Sequence, residues 1–219
     1  MLYISTRGGV APAAFGDVLL GGPAADGGLY LPQAWPHIPK DEIATFAACP
    51  YADVAYRLMR PFVGDAFTDA EFRADVDAAY ATFSHKAVVP LREIAKNRFL
   101  LELFHGPTLA FKDIAMQLLG RLFARVLAKT KRRATVIVAT SGDTGSAAIA
   151  ALRGQPNIDV VVLHPHNRTS EVQRRQMTTV LDENVHNIAL EGVFDDTQNI
   201  VKTLFADADF SQRTDVQPL

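Results

Sequence analysis

A lysine stands at the head of an apolar helical pattern in the stretch FHGPTLAFKD, residues 104–113. Phe111, Ala115, Leu118, Leu122 and Val126 recur every three or four residues. That spacing predicts a helix over about 110–129 with one core-facing side and Lys112 in its first turn. Pro107 and Thr108 carry the helix-start signal just upstream. The positive end of the helix dipole and desolvation both favour a neutral amine at Lys112. A neutral amine attacks an aldehyde to form a Schiff base, so the chemistry on offer is carbonyl chemistry. On spacing alone, a lysine that snorkels out of the first turn is the more ordinary arrangement.

The second constellation is ATSGDTGSAAIA, residues 139–150, where a β-branched run enters Ser141-Gly142-Asp143-Thr144-Gly145 and a small-residue helix follows. Glycines let backbone approach a ligand, and the free N–H groups of a helix start attract an anion. The hydroxyls of Thr140, Ser141, Thr144 and Ser146 add donors. No lysine follows the second glycine, so this is not a nucleotide P-loop, and the third glycine of a dinucleotide fingerprint is missing. Asp143 repels an anion if it points inward; its ordinary role is the helix N-cap. A lysine suited to imine chemistry and an anion-binding turn, one strand apart, together suit pyridoxal phosphate and an amino-acid carboxylate.

The elements that must position these groups fall into two textures. Residues 1–83 read as a mostly helical domain with few strands. YISTR is a short extended piece, and APAAFGDVLLGG a short helix with Pro12 near its start and Gly21 at its end. DGGLYLP is a turn and strand, and three helical patterns then start at Lys40, Tyr51 and Thr68. Thr68 with Glu71 forms a capping box, and Phe72, Val76, Ala79 and Phe83 lie on one face. Residues 84–219 alternate strand and helix. VVPLREIA and RFLLELF pair through the Lys96-Asn97 turn. ATVIVAT, IDVVVLHP and NVHNIALEG are each followed by a helical pattern, which predicts a parallel sheet covered on both faces. The fold class is α/β, with reactive groups at the carboxyl ends of the strands. TDVQPL ends the chain with no capping element, which leaves a sheet edge open.

Composition narrows the function classes. The 219 residues are 48% hydrophobic, and 22 basic against 24 acidic residues give a net charge of -2. No basic face draws the chain to nucleic acid, so the expected partner is a small molecule or a protein. The single cysteine, Cys49, permits no intramolecular disulfide, and it has no basic neighbour to activate it. His164 and His166 suit no zinc spacing, so no metal is expected. Neither a secretory signal nor an apolar run long enough to span a bilayer is present in the sequence, which predicts a cytoplasmic location without membrane contact.

YISTRGG, DGGLYLP, ELFHGPTLAFKD, ATSGDTGSAA, VQRRQMTT and FDDTQNIVK, in this order, resemble the threonine synthases over essentially the whole chain up to Asp215. The resemblance implies the pyridoxal-phosphate fold of the tryptophan synthase β subunit, fold type II. It implies conversion of O-phospho-L-homoserine and water to L-threonine and phosphate. Lys112 matches the lysine that binds pyridoxal 5'-phosphate covalently and then serves as general base and acid. Ser141, Gly142, Asp143 and Thr144 match the loop that grips the substrate's α-carboxylate. Asp143, where related dehydratases carry Asn, favours threonine synthase among these relatives. Thr108, Phe111 and Asp113 flank the lysine, and Arg168, Arg174 and Arg175 are candidates for the substrate's phosphate.

Family chains continue into further strands, a glycine-rich loop for the cofactor's phosphate and a hydroxyl facing its pyridine nitrogen. The chain is therefore expected to be C-terminally truncated, with an incomplete fold, weak cofactor binding and little turnover. Its oligomeric state is open. A phospho-lyase that releases 2-oxobutyrate, and a non-catalytic module that binds a small anion or a partner chain, are the alternative expectations.

Overall fold

Residues 1–207, 210 and 216–218 are described in the computed structural model, in which the chain divides into two units, Met1–His105 and Gly106–Leu219. In the first unit, β1 (Leu2–Ser5) lies between β2 (Ala13–Ala14) and β3 (Tyr30–Pro32) in an antiparallel sheet, with α1 (Phe15–Gly21) between the last two in sequence. Strands β1 and β3 fall on the extended pieces expected in YISTR and DGGLYLP, and only the two-residue β2 was not expected. At two residues, β2 is too short for an alternating pattern to register. Asp26 ties the two ends of the sheet region together. Its carboxylate accepts from Ser5 Oγ at 2.7 Å and from the backbone N–H groups of Gly9 and Gly28 at 2.7 and 2.9 Å.

Helices α2 (Lys40–Thr45), α3 (Tyr51–Val63) and α4 (Asp69–Tyr80) follow, the first two ending in short 3-10 turns. The capping box is present: Thr68 Oγ1 accepts from the Glu71 N–H, and the Glu71 carboxylate accepts from the Thr68 N–H at 2.8 Å. It starts α4 in the phase that buries Phe72, Val76 and Ala79 completely. Rings of Tyr3, Phe15, Phe67, Phe72 and Tyr56 continue that core as a chain with centroids 5.7–6.4 Å apart. The expected hairpin is β4 (Leu91–Ala95) paired with β5 (Arg98–Leu101), and Asn97 takes the left-handed backbone that the tight turn needs.

The second unit carries the alternating pattern. Helix α5 (Asp113–Thr130) precedes β6 (Ala134–Ala139), which is followed by α6 (Asp143–Leu152), β7 (Ile158–Pro165), α7 (Glu171–Thr178), β8 (Val185–Leu190) and α8 (Phe194–Ala206). The sheet is parallel, in the order β8-β7-β6-β9, where β9 is Val216–Pro218. Sequence reading assigned no strand to these last residues; their backbone pairs with β6 along Thr135–Ile137. Alternate residues of the central strands face opposite helices. Val161 and Leu163 pack with Val201, Leu204 and Phe205 of α8. Val162 approaches Gly145 of α6 on the other face. Val136, Val160 and Val162 are fully buried, as strands covered on both sides require.

Helix α5 starts three residues later than its periodicity suggests. Lys112 is its N-cap, with helical backbone angles, and not a first-turn residue. Leu118, Leu122 and Val126 are buried as expected, whereas Phe111 and Ala115 are exposed. The buried surface of the first turns is carried by Asp113, Met116 and Gln117 instead. Two of those three are polar, so an apolar template could not find them.

Candidate active site

The two reactive stretches meet the carboxyl end of the parallel sheet through hydrogen bonds that sequence spacing does not show. Of seven lysines, six are exposed; Lys112 is the exception, half-buried, with its Nζ 4.3 Å from the centroid of the Phe111 ring. The turn before it, Gly106–Leu109, is closed by Asp113. The Asp113 carboxylate accepts from the Thr108 N–H and from Thr108 Oγ1, both at 2.8 Å. Gly106 is required there, because a Cβ would stand 2.4 Å from Asp113 Cβ. Leu109 sits in the left-handed region at φ 62°, a strain that the bonded turn holds in place.

Thr108 and Asp113, expected only as flanking positions, are therefore the structural lock of the lysine turn. Thr108 does not cap α5, since its hydroxyl is committed to Asp113. Asp113 is completely buried, and burial pushes its carboxyl above the ordinary range. The Thr108 bonds pull the other way, and the nearby Asp143 charge adds a smaller upward push.

That shift has a testable consequence. A carboxyl whose folded-state value is raised contributes stability that is complete below its unfolded value of about 3.8. The contribution is lost as pH rises through the folded-state value. Asp113→Asn keeps an acceptor for the Thr108 N–H and offers a donor to Thr108 Oγ1, without the titration. The stability gap between this variant and the native chain is expected to move in favour of Asn as pH climbs through that window, then to level off. Denaturant unfolding at several pH values checks it; two parallel profiles would contradict the assignment.

The second stretch leaves β6 at Ala139. Thr140, 1% exposed, folds its hydroxyl under the turn, and Thr140 Oγ1 accepts from the N–H groups of Gly142 and Gly145, both at 2.9 Å. Ser141 is exposed on the outside of the turn, Gly142 is buried, and Asp143 and Thr144 are half-buried. Gly142, at φ 149°, is the N-cap of α6 and Asp143 its first residue, which corrects the expectation that Asp143 caps. Helix geometry leaves the N–H groups of Asp143 and Thr144 without intrahelical acceptors. The Asp143 carboxylate is occupied elsewhere: Oδ1 accepts from Gln173 Nε2 on α7 at 2.5 Å.

Helix α7 also reaches the lysine turn, where Gln176 Nε2 donates to the Thr108 carbonyl at 2.9 Å. Thr140, expected as a donor to a ligand, instead accepts two N–H groups inside the turn, whereas Gln173 and Gln176 escaped the sequence reading. The available signal was two glutamines three residues apart in VQRRQMTT, one turn of a helix, on either side of Arg174 and Arg175. Those arginines are engaged. Glu171 binds Arg174 and Arg175, each at 2.8 Å, and the pair of guanidiniums holds the Glu171 carboxyl down at about 2. Arg168 is exposed on the turn before α7 and has no ion pair among the described residues. His164 is a buried residue of β7, and His166 pairs with Glu191. Among the described residues no cluster of His, Cys, Asp and Glu could hold a metal ion. No helix among them is long and apolar enough to cross a membrane.

A cleft of about 440 Å3 lies at the opposite, amino end of the strands, lined by Arg133, Pro156, Asp159, Asp182 and Asn184. It is braced by the Arg133–Asp159 ion pair and by Asn184, which donates to the carbonyls of Leu152 and Ile158. None of the reactive residues touches it.

Residues 2–80 match the family described as Threonine synthase N terminus, and residues 87–214 match the family described as Pyridoxal-phosphate dependent enzyme. The threonine synthase of Pseudomonas aeruginosa is 55% identical over 214 residues, which are 98% of this chain and 46% of that protein. That of Schizosaccharomyces pombe is 42% identical over 220 residues, covering 96% of this chain and 43% of that protein. The crystal structure of the threonine synthase from Brucella melitensis with bound PLP superposes with a TM-score of 0.95 at 48% identity. That match covers 100% of this chain and 47% of the other. The chain thus spans about half the length of the curated relatives it matches.

Proposed function

The chain belongs to the pyridoxal-phosphate dependent enzymes, and from that membership we propose that it carries the reactive lysine and the carboxylate-binding turn of a threonine synthase. The reaction is conversion of O-phospho-L-homoserine and water to L-threonine and phosphate. The observation that carries this reading is the setting of Lys112. It is the only lysine withdrawn from solvent, and its turn is tied through α7 to a glycine turn whose one carboxylate faces away into a glutamine amide.

The residues fit the cofactor and substrate chemically. An amine sheltered by Phe111 suits an aldehyde, and the Ser141 turn offers an anion the hydroxyl of Ser141 and the N–H groups of Asp143 and Thr144. With Asp143 held by Gln173, the anion meets donors and not a like charge. Bound pyridoxal phosphate supplies an electron sink that renders the substrate's carbon-bound protons acidic. Lys112 would hold the cofactor's aldehyde carbon until the substrate's amino group displaced it, and the freed Nζ would then take and return protons at the substrate's α, β and γ carbons. Ser141, Gly142, Asp143 and Thr144 hold the α-carboxylate and so fix which proton faces Nζ. Arg168 is the arginine available to the substrate's phosphate, since Arg174 and Arg175 are spent on Glu171.

The test is a titration of the chain with pyridoxal phosphate, followed by O-phospho-L-homoserine. A visible imine band that shifts on adding substrate, with phosphate and threonine released together, is the expected result. Release of 2-oxobutyrate would move the assignment to a lyase. A spectrum unaffected by substrate would remove the reading.

A further inference from the structure

Among the described residues, hydrogen bonds from a third element reach both turns. Gln173 and Gln176 stand one turn apart on α7, so they project from the same side of it. Gln176 Nε2 donates to the Thr108 carbonyl in the lysine turn, and Gln173 Nε2 donates to Asp143 Oδ1 in the carboxylate turn. Neither amide is loose. Gln173 Oε1 accepts from Ser170 Oγ at 2.7 Å, and Ser170 in turn caps α7 by accepting from the Gln173 N–H. The Gln173 side chain also fills the space beside Gly142, where a Cβ would lie 2.4 Å from its carboxamide carbon. Met177, next along the helix and fully buried, packs under Gly145.

We infer that Gln173 and Gln176 are positioning residues, which fix the lysine turn and the carboxylate turn at one separation through α7. Neither touches substrate. Gln176 sets the height of the turn that ends in Lys112. Gln173 holds the Ser141 turn and keeps the Asp143 charge turned away from an incoming carboxylate. The inference rests on the proposed function for what the two turns bind; that the glutamines hold the turns is independent of it.

The experiment has two arms, both on the 219-residue chain. The first is amide hydrogen exchange without cofactor. Gln173→Met keeps the bulk and removes the donor, and is expected to speed exchange at Gly142 and Gly145 by roughly five- to tenfold, the loss of about one hydrogen bond. Gln176→Met is expected to do the same at Thr108. Unchanged exchange at all three amides overturns the inference whatever the cofactor does. The second arm loads the chain with pyridoxal phosphate and titrates L-threonine by absorbance. Both variants are expected to trap cofactor on Lys112 as the native chain does, yet bind the amino acid about tenfold more weakly.

Gln173→Glu gives the control. Its carboxyl repels Asp143 when ionised but donates to Asp143 Oδ1 when protonated, so amino-acid binding is expected to recover as pH falls. Merely loosened packing shows no such recovery. Faster exchange with native amino-acid affinity, or equal weakening of cofactor and amino acid, overturns the positioning role. A native chain that takes no cofactor defeats the proposed function, while the exchange arm still decides whether the glutamines hold the turns.

Discussion

Lys112→Ala is expected to abolish the reductive trapping of pyridoxal on this chain at cofactor concentrations where the native chain is singly labelled. Borohydride reduces an imine to a stable amine, so the labelled lysine is read directly by peptide mass. Pyridoxal phosphate also reacts slowly with any accessible amine, and the other six lysines are all exposed. The distinction lies in order and extent. Lys112 is half-buried against Phe111 and its turn is joined through α7 to the Ser141 turn proposed to hold an anion, so it is expected to saturate first, while the exposed amines follow only in excess reagent. The loss cannot be ascribed to unfolding. Lys112 is the N-cap residue of α5 but its side chain makes no capping hydrogen bond, and its contact with the exposed Phe111 ring is an interaction of about 0.5–1 kcal/mol at such a site. Far-ultraviolet circular dichroism should therefore be native. Equal labelling of all seven lysines, unchanged by the substitution, would defeat the assignment of Lys112.

The amount of this site legible in the sequence follows from what each residue depends on. Strands β6 and β7 declare themselves by β-branched runs bounded by turn residues, because their burial on both faces is a local compositional demand. The start of α4 is equally local, since Thr68 and Glu71 satisfy one another within four residues. The start of α5 is not. Pro107 and Thr108 look like its entrance, but Thr108 is recruited by Asp113, a buried acid whose acceptor capacity outcompetes the helical position. Asp143 shows the same effect over a longer range. A lone aspartate after Ser-Gly reads as a cap, yet its partner is Gln173, thirty residues on and brought in by a β-strand. The resemblance to a known family supplied the roles of Lys112 and the Ser141 turn. It did not single out Gln173 and Gln176, whose hydrogen-bond partners lie in two separate turns.

Gly145→Ala is expected to be among the most destabilising single-methyl changes available to the second unit, by about 1–3 kcal/mol or more from overpacking. An added Cβ would stand 2.6 Å from Thr140 Cγ2, 2.7 Å from Met177 Sδ and 3.0 Å from Val162 Cγ1. Relief by rotation is blocked at the nearest of these. Thr140 Oγ1 accepts from both Gly142 and Gly145, so turning χ1 to move Cγ2 away leaves two buried N–H groups without a partner. Met177 is fully buried and Val162 belongs to the central sheet, so neither has space to retreat. The same substitution at Gly21 is the contrast. That glycine ends α1 with no atom within 4 Å of the added Cβ, so alanine there should leave stability unchanged or raise it by up to about 1 kcal/mol. The single Trp, Trp35, and all five tyrosines lie in the first unit, so intrinsic fluorescence is blind to the change at Gly145. Amide exchange of β6 and β7 is the measurement that sees it. If Gly145→Ala left those strands as protected as Gly21→Ala does, the packing of α6 and α7 around the carboxylate turn would be wrong.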